Sequence, residues 1–321
     1  MIEITLRETF VRGVVIEVMD VTHSDKLMPA FYYQSRNKDF TLLHGDCFQL
    51  LPRFHALFDM IFADPPYFLS NGGFSLQNGK IVSVNKGDWD QSHGYAEDGA
   101  YHRKWIPLCR DKLKENGTIW ISGTYHNIFA VAQALTELGF KILNVITWKK
   151  TNPPPNLSCR YFTHSTEFIV WARKQPKVPH FYNYELMKAI NGGHQMRDVW
   201  TLPAIARWEK SCGKHPTQKP LALLTRIILA STQEGAWILD PFAGASTTGI
   251  AASLTGRRFL GIEREAEFAE MSRRRREELE HPLVRMDYQS RLSDLSYLTN
   301  VAAADHVSES SVPYESVLPF A

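Results

Sequence analysis

Seven short apolar runs, separated by segments that read as helices, set the narrowest limit on how this chain can fold. The runs are TLLHG (41–45), FDMIFAD (58–64), GTIWISG (117–123), ILNVITW (142–148), EFIVWA (167–172), WILDPF (237–242) and RFLGIE (258–263). Most are unbroken stretches of Val, Ile, Leu and Phe. A strand that faces solvent on one side would alternate. An unbroken run suits a parallel strand covered by helices on both faces. Helix candidates fall between the runs at 99–114, 125–138, 217–232, 246–255 and 265–280, and Gly139 is placed to cap the second of these. The pattern predicts an α/β fold built on one mostly parallel sheet.

The 321 residues are 44% hydrophobic and 22% charged, which is enough to bury a core of this kind. Wholesale disorder, a collagen repeat and a disulfide-built miniprotein are excluded. Cys47, Cys109, Cys159 and Cys212 form no CxxC pair, so zinc fingers and dithiol redox chemistry have little support. No metal site is expected. The N-terminal MIEITLRETFVRGVV lacks the order of regions that marks a signal peptide. No stretch reaches the ~18 apolar residues of a membrane span. The nearest, 221–230, is interrupted by Thr225 and Arg226. These features predict a cytoplasmic protein with no membrane partner.

Three regions break the alternation. Residues 68–98 are rich in Gly, Asn and Ser and read as one long loop, a length that usually signals function. Residues 173–213 are irregular, basic and aromatic. Residues 296–321 are rich in Ser, Ala and Val. The expected division is an N-terminal extension (1–38), a catalytic part (39–172), an inserted lobe (173–212), a cofactor part (213–280) and a C-terminal tail (281–321).

Four motifs carry chemistry. Asp64-Pro65-Pro66-Tyr67 follows an apolar run, so its carboxylate sits at the carboxyl end of a strand, where open α/β sheets bind ligands. Its prolines stiffen the loop and leave carbonyls free to accept. A carboxylate, a free carbonyl and an aromatic ring suit a flat ring bearing an exocyclic amine. The plain alternative is a strand-ending turn. Asp240-Pro241-Phe242-Ala243-Gly244-Ala245-Ser246-Thr247-Thr248-Gly249 is a turn entering a helix, and Glu263 follows Gly244 by 19 residues at the end of the next run. An acid at that spacing is placed to hold ribose hydroxyls, so the unit reads as a nucleoside-cofactor site. His215-Pro216-Thr217-Gln218-Lys219-Pro220 opens a helix, and its Thr and Lys suit a carboxylate. A Pro-initiated helix with a solvated lysine explains it as well. In His44-Gly45-Asp46-Cys47, Asp46 is either an acceptor for an adenine amine or a helix cap.

Together these motifs resemble the beta class of S-adenosylmethionine-dependent DNA amino-methyltransferases. Asp64–Tyr67 is similar to that family's catalytic tetrapeptide, Asp240–Gly249 to its cofactor loop and His215–Pro220 to the motif just upstream. The order, catalytic motif before target-recognition region before cofactor loop, is that of the beta class. The resemblance spans roughly residues 40–280. Residues 70–90, 122–128 and 213–223 are most similar to adenine-N6 enzymes of bacterial restriction–modification systems, in particular to a group that modifies GATC.

The resemblance implies a Rossmann-like, seven-stranded, mostly parallel methyltransferase sheet in circularly permuted motif order, with a small DNA-recognition lobe inserted. It implies that Asp64 and the Pro65 carbonyl bind the target amine, beside Pro66, and that Tyr67 stacks on an extruded base. It implies a cofactor set of Asp46, Asp64, Thr217, Lys219, Asp240, Phe242, Gly244, Ser246, Thr247 and Glu263, with Thr217 and Lys219 near the methionine carboxylate. The family turn reads Phe-x-Gly-x-Gly, and here Ser246 replaces the second glycine. Serine predicts an ordinary backbone conformation there, and either a weaker cofactor site or an added hydroxyl donor.

The amine of adenine is a poor nucleophile, because its lone pair is conjugated into the ring. Acceptors on its hydrogens raise lone-pair density for in-line attack on the sulfonium methyl, with Asp64 or water taking the proton. The base must first leave the duplex. A net charge of only +2, taken as an average, argues against DNA, but residues 141–219 hold thirteen basic and four acidic residues, a local +9. Lys149, Lys150, Arg197, Arg207 and Lys210 are the candidate DNA contacts, and plain surface charge is the alternative for each. The expected partner is double-stranded DNA, with single-stranded DNA left open, in a system with a cognate restriction endonuclease and as a monomer or homodimer. Rival readings are a cytosine-N4 methyltransferase and a DNA-binding module whose cofactor site Ser246 impairs.

Overall fold

The computed structural model describes residues 4–11, 14–21, 31–69, 74–77, 80–83, 90–92, 94–153, 155–156, 159–213 and 215–293. Parts of the expected 68–98 loop (70–73, 78–79, 84–89 and 93), of the N-terminal extension (1–3, 12–13 and 22–30) and residues 294–321 of the expected tail lie outside the described residues.

An antiparallel hairpin of β1 (Ile4–Val11) and β2 (Val14–Val21) precedes the main body. The strands of the main sheet are β3 (Tyr33–Gln34), β4 (Phe40–His44), β5 (Phe58–Ala63), β8 (Leu113–Gly123), β9 (Lys141–Lys150), β10 (Thr166–Arg173), β11 (Val199–Leu202), β12 (Trp237–Asp240) and β13 (Arg258–Glu263). A second hairpin, β6 (Phe74–Gln77) with β7 (Lys80–Ser83), stands apart. The helices are α1 (Cys47–Leu50), α2 (Tyr95–Lys112), α3 (Ile128–Glu137), α4 (Tyr184–Ile190), α5 (Leu221–Ser231), α6 (Thr247–Leu254), α7 (Ala266–Glu278) and α8 (Pro282–Ser293).

The sheet runs β11-β9-β10-β8-β5-β12-β13-β4-β3. All seven expected runs are strands in it, and two short edge strands, β3 and β11, extend it to nine. From β8 to β4 every pairing is parallel, while β10 runs against both its neighbours. Both faces are covered. Met60, Phe62, Trp120, Ile169, Ile238 and Phe259 turn to one core with α5 and α6. Ile61, Ala63, Ile119, Ile121, Leu239 and Ile262 turn to the other with α2 and α3. That double burial is why the strands read as unbroken apolar runs. Gly139 ends α3 as expected: its φ is +77°, and the Gly139 and Phe140 amides donate back to Thr136 and Leu135.

Two irregular regions carry more structure than their sequence suggests. The 68–98 segment contains the β6–β7 hairpin and the first turn of α2. The 173–213 segment contains α4 and β11, and its Met187, Ile190, Trp200 and Leu202 are buried in the core of the main sheet. Among the described residues, no helix is long and apolar enough to cross a membrane.

Candidate active site

One edge of the sheet gathers the chemistry. The parallel strands β4, β5, β8, β12 and β13 all end there, leading to Asp46, Asp64, Ser122, Asp240 and Glu263. β10 runs the other way, so its first residues, Thr166 and Glu167, join the same edge. A cavity of about 280 Å³ opens among them. Its walls include Asp46, Asp64–Tyr67, Thr217, Lys219, Asp240, Phe242, Gly244, Thr247 and Glu263. The tetrapeptide and the cofactor turn, far apart in sequence, thus face one space.

Asp64 is the centre of a buried network. Its Oδ1 accepts from the Tyr67 hydroxyl at 2.7 Å and from the Ser122 hydroxyl. Its Oδ2 accepts from the Lys219 ammonium at 2.6 Å. Burial pushes the Asp64 carboxyl up, but Lys219 with Ser122 and Tyr67 more than offsets this and holds it below the usual carboxylate range. Burial disfavours the Lys219 charge, and the facing carboxylates of Asp64 and Glu167 reverse the effect and raise its pKa. Lys219, the residue the sequence places near a cofactor carboxylate, pairs with Asp64 and lies 5.1 Å from the centre of the Tyr67 ring. Beneath the loop, the fully buried Asp90 accepts from the backbone amides of Tyr67, Phe68 and Leu69. It clamps the tetrapeptide to the end of the 68–98 segment.

The cofactor turn is held from within. Asp240 accepts from the Phe242 amide at 3.1 Å and from the Thr248 hydroxyl at 2.6 Å. Burial pushes its carboxyl up to about 7, against the pull of those two bonds. Glu263 accepts from the Gly244 and Glu265 amides, and burial raises its carboxyl too. Gly244 has φ +53°, and a Cβ there would lie 3.0 Å from the His215 ring, so both conformation and space favour glycine. Phe242 packs edge-on to Trp105. Thr247 accepts from Arg275 at 3.0 Å. Asp46 caps α1 through the Phe48 amide and also lines the cavity, so its two readings are compatible.

Ser246 corrects an expectation. It does not take an ordinary conformation: its φ is +52° and ψ +41°, in the left-handed region. It is fully buried, its hydroxyl has no hydrogen-bond partner, and it is absent from the cavity wall. The turn imposes the glycine conformation on serine at a cost of about 1 kcal/mol, and the Ser246 hydroxyl donates to no group among the described residues.

The candidate DNA residues divide. Lys149 is exposed at the end of β9, and Arg197 and Arg207 are exposed before and after β11. Lys210 is half-buried in a short turn at Arg207–Lys210. Lys150 is committed inward, paired with Glu167 and lying over the Trp148 ring. The residues that sequence reading missed are Ser122, Glu167 and Asp90. Ser122 and Asp90 fall in the stretches 122–128 and 70–90 already singled out, but nothing in residue order assigns their partners.

A family model described as DNA methylase matches residues 58–274. The Type II methyltransferase M2.MboI of Moraxella bovis is 54% identical over 262 residues, covering 81% of this chain and 96% of that protein. The Type II methyltransferase M2.DpnII of Streptococcus pneumoniae is 58% identical over 247 residues, covering 76% and 92%. Among solved structures, the complex of M1.HpyAVI with SAM is 28% identical, with a TM-score of 0.58 over 74% of this chain and 98% of that one. The cytosine-N4-specific PvuII DNA methyltransferase shares the fold, with a TM-score of 0.58 at 17% identity, covering 83% of this chain and 95% of that one.

Proposed function

We propose that this chain, which belongs to the DNA methylase family, transfers its methyl group to the N6 amine of an adenine taken out of the DNA stack. That it is a site-specific DNA methyltransferase using S-adenosylmethionine is the premise. The observation that carries the finer reading is the position of Asp64. It is a buried, charged acceptor in the same cavity as the cofactor turn.

The residues fit the cofactor by their chemistry. Asp46 and Glu263 offer carboxylate acceptors to an adenine amine and ribose hydroxyls, and Phe242 offers an aromatic face. Asp64 places a carboxylate where a sulfonium cation gains from it, and Asp240 shapes the turn beside it. Gly244 lets the backbone come close. When bound, the cofactor supplies an electrophilic methyl group.

The chain's own residues prepare the nucleophile. Asp64 and the Pro65 carbonyl accept the amine hydrogens, and the Tyr67 ring meets the base. The Asp90 clamp fixes the loop that presents them. Pro66 stiffens it. Thr217, Thr247 and Lys219 line the same cavity, within reach of the cofactor's polar groups. The exposed Lys149, Arg197 and Arg207 serve as phosphate or base contacts, with Lys210 beside them. Lys150 is better read as part of the inner network. Segment 173–212 is the target-recognition region. Ser246 stays out of the cavity, so nothing in the loop favours an impaired cofactor site.

Methylation of genomic DNA by the purified protein, followed by sequencing that detects modified bases, tests this. The reading expects N6-methyladenine within one short sequence, with GATC the first candidate. N4-methylcytosine would overturn it. The restriction endonuclease is expected as a partner in the same system, not as a bound subunit.

A further inference from the structure

Lys219 holds the oxygen that the proposed function leaves for the target amine. Its Nζ donates to Asp64 Oδ2 at 2.6 Å and lies 5.1 Å from the centre of the Tyr67 ring. An N–H donor on Asp64 beside Tyr67 is what the proposed function assigns to the amine of the extruded adenine. A carboxylate oxygen offers about two acceptor positions. Oδ1 is filled by Tyr67 and Ser122, so Oδ2 is the oxygen left for an incoming amine, and the Lys219 ammonium already holds one of its two positions.

A buried ammonium cannot be displaced into apolar surroundings without a large penalty. Glu167 offers it a second place. Its Oε2 is buried, has no hydrogen-bond partner, and lies 3.8 Å from Lys219 Nζ. Its Oε1 is already paired with Lys150, and the backbone is fixed in β10 opposite Trp148. A shift of about 1 Å brings Lys219 to hydrogen-bond distance from Glu167.

Resting on the reading that Asp64 accepts the target amine, we propose that Lys219 is a placeholder for that amine and that Glu167 is the positioning residue that receives it when adenine enters. Lys219 is then neither a solvated surface charge nor a fixed counterion. It shields Asp64 while the site is empty and leaves it a stronger acceptor once the base is seated. Lys150 keeps Glu167 in place. The inner charges, Asp64, Lys219, Glu167 and Lys150, stay balanced in both arrangements.

The test is a double difference in DNA binding. Two duplexes carry the sequence the enzyme methylates, one with the target adenine and one with purine, which lacks the 6-amine. Binding is measured for wild type, Glu167→Gln and Glu167→Asp, with titration of S-adenosylmethionine as a check on the folded cofactor site. Glu167→Gln is expected to weaken binding of the adenine duplex about tenfold, or about 1.4 kcal/mol, and to leave the purine duplex within about twofold. Glu167→Asp keeps the charge and is expected to give a smaller loss, again only with adenine. Equal losses on both duplexes, or no loss on either, overturn the placeholder role. A wild-type protein that binds both duplexes alike and transfers no methyl group overturns the proposed function instead.

Discussion

Asp64 and Asp240 invite comparison because the chain builds them alike. Each ends a strand, each is followed by proline, and their strands β5 and β12 are parallel neighbours. Both carboxylates face one cavity. Their partners differ. Asp64 is held by side chains, Tyr67 of its own loop and Ser122 and above all Lys219 from other elements, and its carboxyl stays below the usual range although burial pushes it up. Asp240 is held by its own turn, through the Phe242 amide and Thr248 hydroxyl, and burial lifts it to about 7. A carboxylate with a buried cation is a charged acceptor ready for a substrate. The same group without one becomes a clasp for a loop.

The sharpest way to break this contrast is to neutralise each acid in place. Asp64→Asn is expected to lower kcat by roughly 10³-fold, since an amide is a weaker acceptor at the reacting amine. Asp240→Asn is expected to lower it by less than about tenfold, because it acts on the turn alone, at a cost near 1 kcal/mol. Steady-state methylation assays compare them. Equal losses would erase the distinction.

Lys219→Met comes next. It leaves Asp64 buried without its cation and is expected to destabilise the fold by about 3 kcal/mol in denaturant unfolding. Combining it with Asp64→Asn should recover much of that stability and none of the activity.

The pH dependence separates the two acids with opposite signs. Between the ordinary carboxylate value and about 7, folded Asp240 holds a proton that the unfolded chain releases. Its contribution to stability therefore falls as pH rises through that window. The contribution of Asp64 is present above the ordinary carboxylate value and is lost as pH falls through its lowered one. Melting temperatures of wild type and Asp240→Asn should converge, or cross, as pH rises from the ordinary carboxylate value to about 7, and change little relative to each other above it. A constant gap would contradict the raised value. The smallest effect is Ser246→Gly, which relieves the left-handed serine and its unpartnered hydroxyl. It should raise stability by about 1 kcal/mol with little change in cofactor affinity.

The sheet was legible because double burial writes itself into a strand as an unbroken apolar run, and most of the seven strands carry that mark, β9 with its exposed Asn144 and Val145 being the weakest. Of the edge strands, β3 has only two residues, and β11 alternates exposed Val199, buried Trp200 and buried Leu202 where the central strands are buried along most of their length. The β6–β7 hairpin was missed although Asn78-Gly79, a strong two-residue turn signal, lies between its strands. The motifs were legible as chemistry but not as partners. Lys219 meets Asp64 across 155 residues, and Ser122 and Glu167 reach it because β8 and β10 happen to bring opposite ends to one edge. Residue order does not encode that meeting. Local preference also misled at Ser246, where tertiary packing overrides what serine favours.

The central claim is that Asp64 holds the amine of adenine while the rest of the cavity holds the cofactor. The most direct measurement pairs mass analysis of digested substrate DNA with titration of S-adenosylmethionine, for wild type and Asp64→Ala. The account predicts N6-methyladenine from wild type and none from the variant, with cofactor binding retained by both. Wild-type-like turnover by Asp64→Ala, or methylation found on cytosine, would contradict it.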